Sequence, residues 1–351
     1  MSDDNIIEQF KKQIADAKQN STTIRIRGGG TKDFYGVSLE GDLLETKSYS
    51  GISEYEPTEL VITAKSGTPL KLIEKTLSEN NQMLAFEPPH MGPEASFGGC
   101  IASGLSGPRR ASQGAVRDLV LGVRMLNSEG IDLQFGGKVM KNVAGFDVSR
   151  LLAGSFGTLG LILECSVKVL PKPESERTIF MEMNQESALK KMNQMAGMSI
   201  PLSATCYDGT QLAARLSGSN IAVATALKKI GGESTDESSF WHSIKEHTHA
   251  FFNSEGCLYR LSMNPAAPMN AYPTALIEWN GSTRWIWNNG SLSEHQAFAN
   301  KHGGHAVAFR GNQPGRNICE LPKALHAMQV KVKDALDPHR VFGEKRLFSE
   351  F

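Results

Sequence analysis

A chain of 351 residues with 37 Lys+Arg against 37 Asp+Glu carries no net field with which to attract a nucleic-acid backbone. Its 40% hydrophobic content suffices for packed interiors, and its length is too great for one ordinary core, so two domains are expected. Five scattered cysteines (Cys100, Cys165, Cys206, Cys257, Cys319) without a Cys-x-x-Cys pair speak against a zinc or iron–sulfur site and against a disulfide framework.

The acidic opening Met1-Ser2-Asp3-Asp4-Asn5 lacks the basic and apolar regions of a signal peptide. Beyond it, Ile6, Ile7, Phe10, Ile14 and Ala17 recur at helical spacing, with Ser2, Asp3 or Asp4 available as a cap. Residues 22–27 alternate as a strand that runs into Arg27-Gly28-Gly29-Gly30-Thr31-Lys32. A second strand is expected over 60–64, then a helix in which Thr68 is the N-cap, Pro69 the first helical residue and Leu70, Ile73 and Leu77 the apolar stripe. Strands over 119–126 and 131–135 flank the turn Asn127-Ser128-Glu129-Gly130. A short helix over 146–153 and a long apolar strand region over 158–170 follow, until Pro171 and Pro173 stop the pattern.

Residues 171–176 form the candidate domain boundary. Past it, strands are expected over 178–183, 203–207, 211–216, 258–263, 275–279 and 283–287. Helices are expected over 185–195, 220–230, 240–251, 294–300 and 321–336. The mixture predicts a sheet covered by helices on one face. No run of apolar residues approaches the roughly 20 needed to span a bilayer, so a cytoplasmic protein without a transmembrane segment is expected.

Glycine carries the functional signal. Besides 28–30, it recurs in Ser96-Phe97-Gly98-Gly99-Cys100-Ile101-Ala102-Ser103-Gly104-Leu105-Ser106-Gly107-Pro108-Arg109-Arg110 and in Gly154-Ser155-Phe156-Gly157-Thr158-Leu159-Gly160. The first cluster is not a dinucleotide fingerprint, because Asp33 stands where a third glycine is required; the second is not a P-loop, because Leu105 stands where lysine is required. Either cluster alone reads as ordinary turn glycines. Together, with cations beside both, they suggest backbone amides converging on a diphosphate.

In their order and spacing these segments, with Gly114, Asp118 and Gly145-Phe146-Asp147, resemble the FAD-binding domain of the vanillyl-alcohol oxidase and p-cresol methylhydroxylase family over residues 22–170. Phe86-Glu87-Pro88-Pro89-His90, residues 104–110, the run 136–147 and the tail Leu336-Asp337-Pro338-His339-Arg340-Val341-Phe342 are similar to FAD-binding subunits of bacterial glycolate oxidases. The resemblance implies an α+β fold. A two-subdomain FAD-binding domain of the p-cresol methylhydroxylase type would span 1–172 and an α/β cap domain 173–320, with a C-terminal helix and tail, 321–351, returning to the FAD domain.

The resemblance also implies the site. Arg27, Gly28, Gly29, Gly30, Thr31 and Lys32, with Ser96, Gly98, Gly99, Ile101, Ala102 and Gly104, would meet the FAD diphosphate. Gly107, Arg110, Gly114 and Asp118 would complete the surroundings, and Gly157, Gly160 and Ile162 would give main-chain contacts near the flavin or adenine. The Thr31 and Ser96 hydroxyls are candidate donors, and Arg27 is either a cofactor ligand or a strand-end residue paired to a carboxylate. Some relatives attach FAD through a histidine just after the first glycine pair; Gly30 and Thr31 stand there, so FAD is expected to be non-covalent, with His90 in a packing or supporting role.

The implied reaction is oxidation of glycolate to glyoxylate within a complex that also holds a catalytic flavin subunit and an iron–sulfur subunit, peripheral at the inner face of the plasma membrane. This chain would relay electrons or complete the assembly, because the His-Gly-Asp-Gly-Asn-x-His run of related catalytic subunits is absent. The nearest cluster, His302-Gly303-Gly304-His305, reads as a helix end with Gly303 as the stop. Arg260, Arg284 and Arg310 are candidates either for a carboxylate fork or for ordinary salt bridges. Trp279, Trp285 and Trp287 read as sheet core, flavin-stacking groups or a partner interface. No catalytic base and no metal ligand is nominated. The alternatives are a stand-alone FAD-dependent dehydrogenase of D-lactate-like 2-hydroxy acids and, on fold analogy, a sugar-acid dehydrogenase.

Overall fold

The computed structural model describes residues 2–137, 148–232, 234–268, 272–288, 290–311 and 318–349. The helical spacing at the start becomes the helix Asp3–Asn20, which buries Ile6, Ile7, Phe10, Ile14 and Ala17; the Ser2 side chain caps it by accepting from Asn5 N–H. The strand Ile24–Arg27 follows and pairs in parallel with Asp42–Glu45. Residues 341–343 close the other side of that strand: Ile24 N–H donates to the Val341 carbonyl at 2.6 Å, and Gly343 N–H to the Ile24 carbonyl at 2.9 Å.

A five-stranded antiparallel sheet stands behind this pair, in the order Ile52–Glu56, Val61–Lys65, Leu161–Lys168, Val120–Leu126, Asp132–Gly136. Its middle strand is apolar on both faces because both are covered. Leu161 and Leu163 pack against the first helix, and Ile162, Cys165 and Val167 pack under the helices Leu70–Glu79 and Phe97–Ser103. Thr68 and Pro69 depart from expectation. Pro69 is itself the N-cap of Leu70–Glu79, and the Thr68 hydroxyl accepts from Gly51 N–H at 2.9 Å and donates to the Lys65 carbonyl at 2.7 Å. The threonine fixes the turn that precedes the helix instead of the helix end.

The second sheet has eight antiparallel strands, in the order Ser234–Thr235, Ser175–Glu182, Gln211–Gly218, Leu202–Tyr207, Leu276–Glu278, Thr283–Asn288, Cys257–Ser262, His305–Arg310, and shares no strand with the first. Helices Gln185–Ala196, Asn220–Ile230 and Leu292–Lys301 cover one face. The expectation that only one face would be covered needs correcting. On the other face Trp241 and Ile244 of the helix Ser238–Glu246, with Tyr35 and Leu105 from the first half of the chain, pack on Cys206, Trp285 and Phe309. The single helix predicted over 240–251 breaks at His247, whose φ of 55° is left-handed, and resumes as a 3-10 turn, Ala250–Asn253. Of the helix predicted over 146–153, Val148–Leu152 is described; Gly145, Phe146 and Asp147 lie outside the described residues.

The helix Lys323–Leu336 buries only Lys333, an unusual residue to bury. Its ammonium donates to Asp337 Oδ2 at 2.5 Å, to the Thr158 carbonyl at 2.6 Å and to the Phe342 carbonyl at 2.7 Å. Asp337 also accepts from Val341 N–H and Phe342 N–H, both at 2.9 Å, so one carboxylate organises the whole tail. Asp337→Asn weakens the bonds to Lys333, Val341 and Phe342 that its carboxylate accepts, and we expect a loss of about 2 kcal/mol of stability, read as a lower urea midpoint at unchanged m-value.

Candidate functional site

The two glycine segments, far apart in sequence, touch. An added Cβ at Gly28 would collide with the Ser96 side chain, and one at Gly29 with the Glu94 carbonyl. Ser96 caps the helix Phe97–Ser103, its Oγ accepting from Gly99 N–H, so the second cluster is a helix start and not the loop its glycines suggest. Gly98 and Gly99 sit in the first turn, where amides have no partner within the helix; Gly98 N–H donates instead to the Ser66 carbonyl at 2.8 Å.

Together they line one cleft. Arg27, Gly28, Gly29, Gly30, Thr31 and Lys32 line it on one side. Ser96, Gly98, Gly99 and Ala102 line a second side, and Gly157, Gly160 and Ile162 a third. Sequence reasoning did not single out Arg25, Ser66, Phe156, Gly343 or Arg346, which line it too. The alternation of 22–27 and the tail motif were the available signals for Arg25 and for 343–346.

Charges in this cleft are mixed. Arg27 takes the paired option, its Nε 2.9 Å from Asp33 Oδ2, while its guanidinium lies along Gly30. Lys32 Nζ donates to the His90 carbonyl at 3.1 Å and to Thr31 Oγ1 at 3.3 Å; burial lowers its pKa, and this outweighs the opposing pull of Cys100 and Glu246. Arg346 bridges to the Ser38 carbonyl at 3.0 Å, and burial lowers its pKa as well. Arg25 Nε is buried with no partner among the described residues. His90 faces elsewhere, its Nε2 2.9 Å from Glu74 Oε2.

A second cleft, of about 1350 Å³, opens between the first half of the chain and the eight-stranded sheet. Ser103 and Phe156 line both clefts. Phe156 holds φ at 53°, a strained conformation for a bulky residue, and its N–H donates to the Ala102 carbonyl at 2.9 Å. Gly104 and Arg110 line this second cleft and not the first. Ile101 is wholly buried in the core, Gly107 packs against Glu87, and Asp118 Oδ2 accepts from Ala115 N–H beside Gly114.

Of the two readings of Arg260, Arg284 and Arg310, the fork does not assemble. Arg284 is fully buried and donates to the carbonyls of Gly281, Pro265 and Ala267. Arg310 lies over the Phe34 ring. Arg260 alone of the three lines the second cleft. Trp285 belongs to the sheet core and Trp287 packs against it, as one of the open readings had it, Trp285 Nε1 donating to Glu278 Oε2 and Trp287 Nε1 to the Phe251 carbonyl, both at 2.7 Å; Trp279 lines the second cleft. Gly303, at φ 71°, does stop the helix Leu292–Lys301. No cluster of three or more His, Cys, Asp or Glu able to hold a metal occurs among the described residues.

Residues 6–135 match the family described as "FAD binding domain". Over 346 residues the chain is 39% identical to the glycolate oxidase subunit GlcE of Escherichia coli, covering 98% of this chain and 97% of that protein. It is 29% identical over 230 residues to the glycolate oxidase subunit GlcD of Bacillus subtilis, covering 64% of this chain and 48% of that one. A 152-residue match at 30% identity, covering 40% of this chain and 25% of the other, is to the mitochondrial D-lactate dehydrogenase [cytochrome] 1 of Saccharomyces cerevisiae. Among solved structures, an alkyldihydroxyacetonephosphate synthase superimposes with a TM-score of 0.65 over 95% of this chain and 74% of its own, at 15% identity, which speaks for the fold alone. With a glycine-walled cleft where the FAD-binding match lies and a full-length relative at this identity, the chain belongs to the family of FAD-binding oxidoreductases that includes the GlcE subunit of glycolate oxidase.

Proposed function

We propose that this chain holds FAD non-covalently in the first cleft and serves as the FAD-binding subunit of a complex oxidising glycolate to glyoxylate. A catalytic flavin subunit and an iron–sulfur subunit would stand beside it. The observation that carries the reading is the contact between the two glycine segments, which brings both to line one cleft.

The residues present fit a dinucleotide diphosphate. Gly28–Lys32 with Ser96, Gly98 and Gly99 would hold it, and the unpartnered Nε of Arg25 gives a buried donor in need of an acceptor. Ala102, Gly157, Gly160 and Ile162 would wall the cofactor through main chain and apolar contact. Ser103 and Phe156, common to both clefts, place the second cleft within reach of the same elongated ligand, with Gly104 and Arg110 on that side. Ile101, Gly107, Gly114 and Asp118 would support from behind. FAD supplies the hydride-accepting ring; the chain itself positions it and excludes water.

A division into an FAD domain to residue 172, a cap to 320 and a returning tail is part of this reading, supported by two sheets that share no strand. No helix among the described residues is long and apolar enough to cross a membrane, so docking at the inner face of the plasma membrane would run through the partners.

Acid precipitation of the purified chain should leave a white pellet and a yellow supernatant; colour retained on the pellet would contradict non-covalent binding. A second reading, a stand-alone dehydrogenase of D-lactate-like 2-hydroxy acids, is favoured by the cationic lining of the second cleft. Anaerobic glycolate separates the two. For a subunit that relays electrons or completes the assembly, the chain alone keeps its flavin absorbance and bleaches when the partner subunits are added. Bleaching of the chain alone would select the second reading.

A further inference from the structure

We propose that Glu246, in the second half of the chain, is a positioning residue for the first cleft: through the His90–Met91 peptide it holds the Lys32 ammonium where an anionic ligand would meet it. One peptide group carries the connection. Its carbonyl, that of His90, accepts from Lys32 Nζ at 3.1 Å, and its N–H, that of Met91, donates to Glu246 Oε2 at 2.7 Å. His90 N–H donates to the same carboxylate oxygen at 3.0 Å. A cation and an anion at opposite ends of one peptide polarise it in the same sense, so each bond strengthens the other. Lys32 lines the first cleft, whereas Glu246 ends the helix Ser238–Glu246, which packs on the eight-stranded sheet.

The connecting loop is held at both ends. Pro88 and Pro89 have no N–H, so His90 and Met91 supply the first amides after Glu87, and both are spent on Glu246. Glu87 and Met91 hold φ at 47° and 53°, left-handed values that such residues keep only where their surroundings impose them. Glu87 is tied to Arg215 of the eight-stranded sheet, and on the cleft side a Cβ at Gly92 would lie 3.1 Å from Thr31 Cγ2. Glu246 is the last residue of its helix, where the helix dipole disfavours a negative charge. Burial too would raise its pKa, yet the Met91 amide, then Lys245 and the His90 amide, hold it below the usual 4.5. Burial lowers the pKa of Lys32, opposed by Cys100 and Glu246. Because burial also pushes the Cys100 thiol up to about 12 and so keeps it neutral, Glu246 is the anion that supports the lysine charge.

This deepens the proposed function and rests on FAD in the first cleft. Such coupling is reciprocal: if Glu246 favours the cofactor, the cofactor steadies the helix that carries Glu246 by the same free energy. The test is fluorescence titration of the flavin-free full chain with FAD, in wild type, Glu246→Gln, Lys32→Met and the double variant, with denaturant unfolding of each. We expect Glu246→Gln to weaken FAD binding at least roughly fivefold, with Glu246→Asp recovering part of the loss. In the Lys32→Met background the same change should cost less than about twofold. A residue that only stabilised the fold would cost as much with Lys32 as without it. Hydrogen exchange of the wild type is the second readout and needs no variant: bound FAD should slow exchange in the last turn of the helix Ser238–Glu246. Wild-type FAD affinity in Glu246→Gln, equal losses in the two backgrounds, or exchange in that turn indifferent to FAD would overturn the proposal. A wild-type chain that binds no FAD at all would instead end the FAD reading itself, and this inference with it.

Discussion

Gly29→Val should yield a folded but colourless protein. A Cβ at position 29 would run into the Glu94 carbonyl and lie 3.1 Å from Ala95 N, all main chain that cannot rotate aside. The two glycine segments must then separate, and the cleft proposed to hold the diphosphate opens between them. Overpacking of this kind costs about 3 kcal/mol of stability; on the proposed reading the larger effect is on the cofactor, because both segments line its cleft. Gly99→Ala is the control. Its Cβ would meet only Ser96 Oγ at 3.0 Å, a side-chain atom able to give way, so flavin content should stay near wild type. Measured as the ratio of flavin to protein absorbance, a yellow Gly29→Val protein of normal content would remove the glycine contact from any role in cofactor binding.

The second large effect is expected at Glu87→Gln. Glu87 Oε2 accepts from Arg215 Nη2 and from Arg109 N–H, both at 2.8 Å, and Oε1 from Arg109 Nε at 3.3 Å. The same guanidiniums reach Glu176, whose Oε2 is 2.5 Å from Arg109 Nη2 and accepts from Ser217 Oγ at 2.6 Å. Two cations and two anions thus balance where Arg109 and Arg215 are 5% and 3% exposed. The isosteric amide leaves one guanidinium charge uncompensated in that enclosure, and removal of one partner from a buried pair costs about 3–5 kcal/mol. Denaturant unfolding of wild type and variant reads this directly.

The pH dependence has a definite sign. Burial alone would raise the pKa of Glu87, but Arg215 and Arg109 hold it below the usual 4.5. A carboxylate depressed in the folded state stabilises above its unfolded pKa and loses that stabilisation as pH falls through its folded value. The stability gap between wild type and Glu87→Gln should therefore be widest near neutrality and narrow on acidification below the ordinary glutamate range. A gap that widened in acid would mean that the arginines are not what holds the carboxylate.

The parts of the structure legible in the sequence were those governed by local chemistry. The helix Asp3–Asn20 was readable because its buried residues recur with the helical period and Ser2 supplies the cap. The strands Asp42–Glu45 and Ile52–Glu56 were not, because they are short and mostly exposed and carry no apolar alternation. Phe97–Ser103 was hidden by the two glycines in its first turn, residues that lower helix propensity, with the small size of Gly98 needed for packing on Ser66. Glycine made the first cleft visible from the sequence, since the absence of a side chain is a local fact. The ion cluster was invisible for the opposite reason: Glu87 and Arg215 are 128 residues apart, and only the fold says that they meet. Arg284 shows the limit most plainly. A cation on a strand read as either a carboxylate-binding group or a salt-bridge partner, and its donors are spent on carbonyls of neighbouring turns.

The first cleft is walled in part by Gly343 and Arg346, and Arg346 reaches back across 308 residues to the Ser38 carbonyl. Ribosomes add about 5–20 residues per second, so the opening side of this wall waits many seconds for its closing side. A nascent chain that has already folded its first sheet would still lack a finished vessel for the nucleotide, and loading with the vitamin-derived group would come after translation has passed the tail.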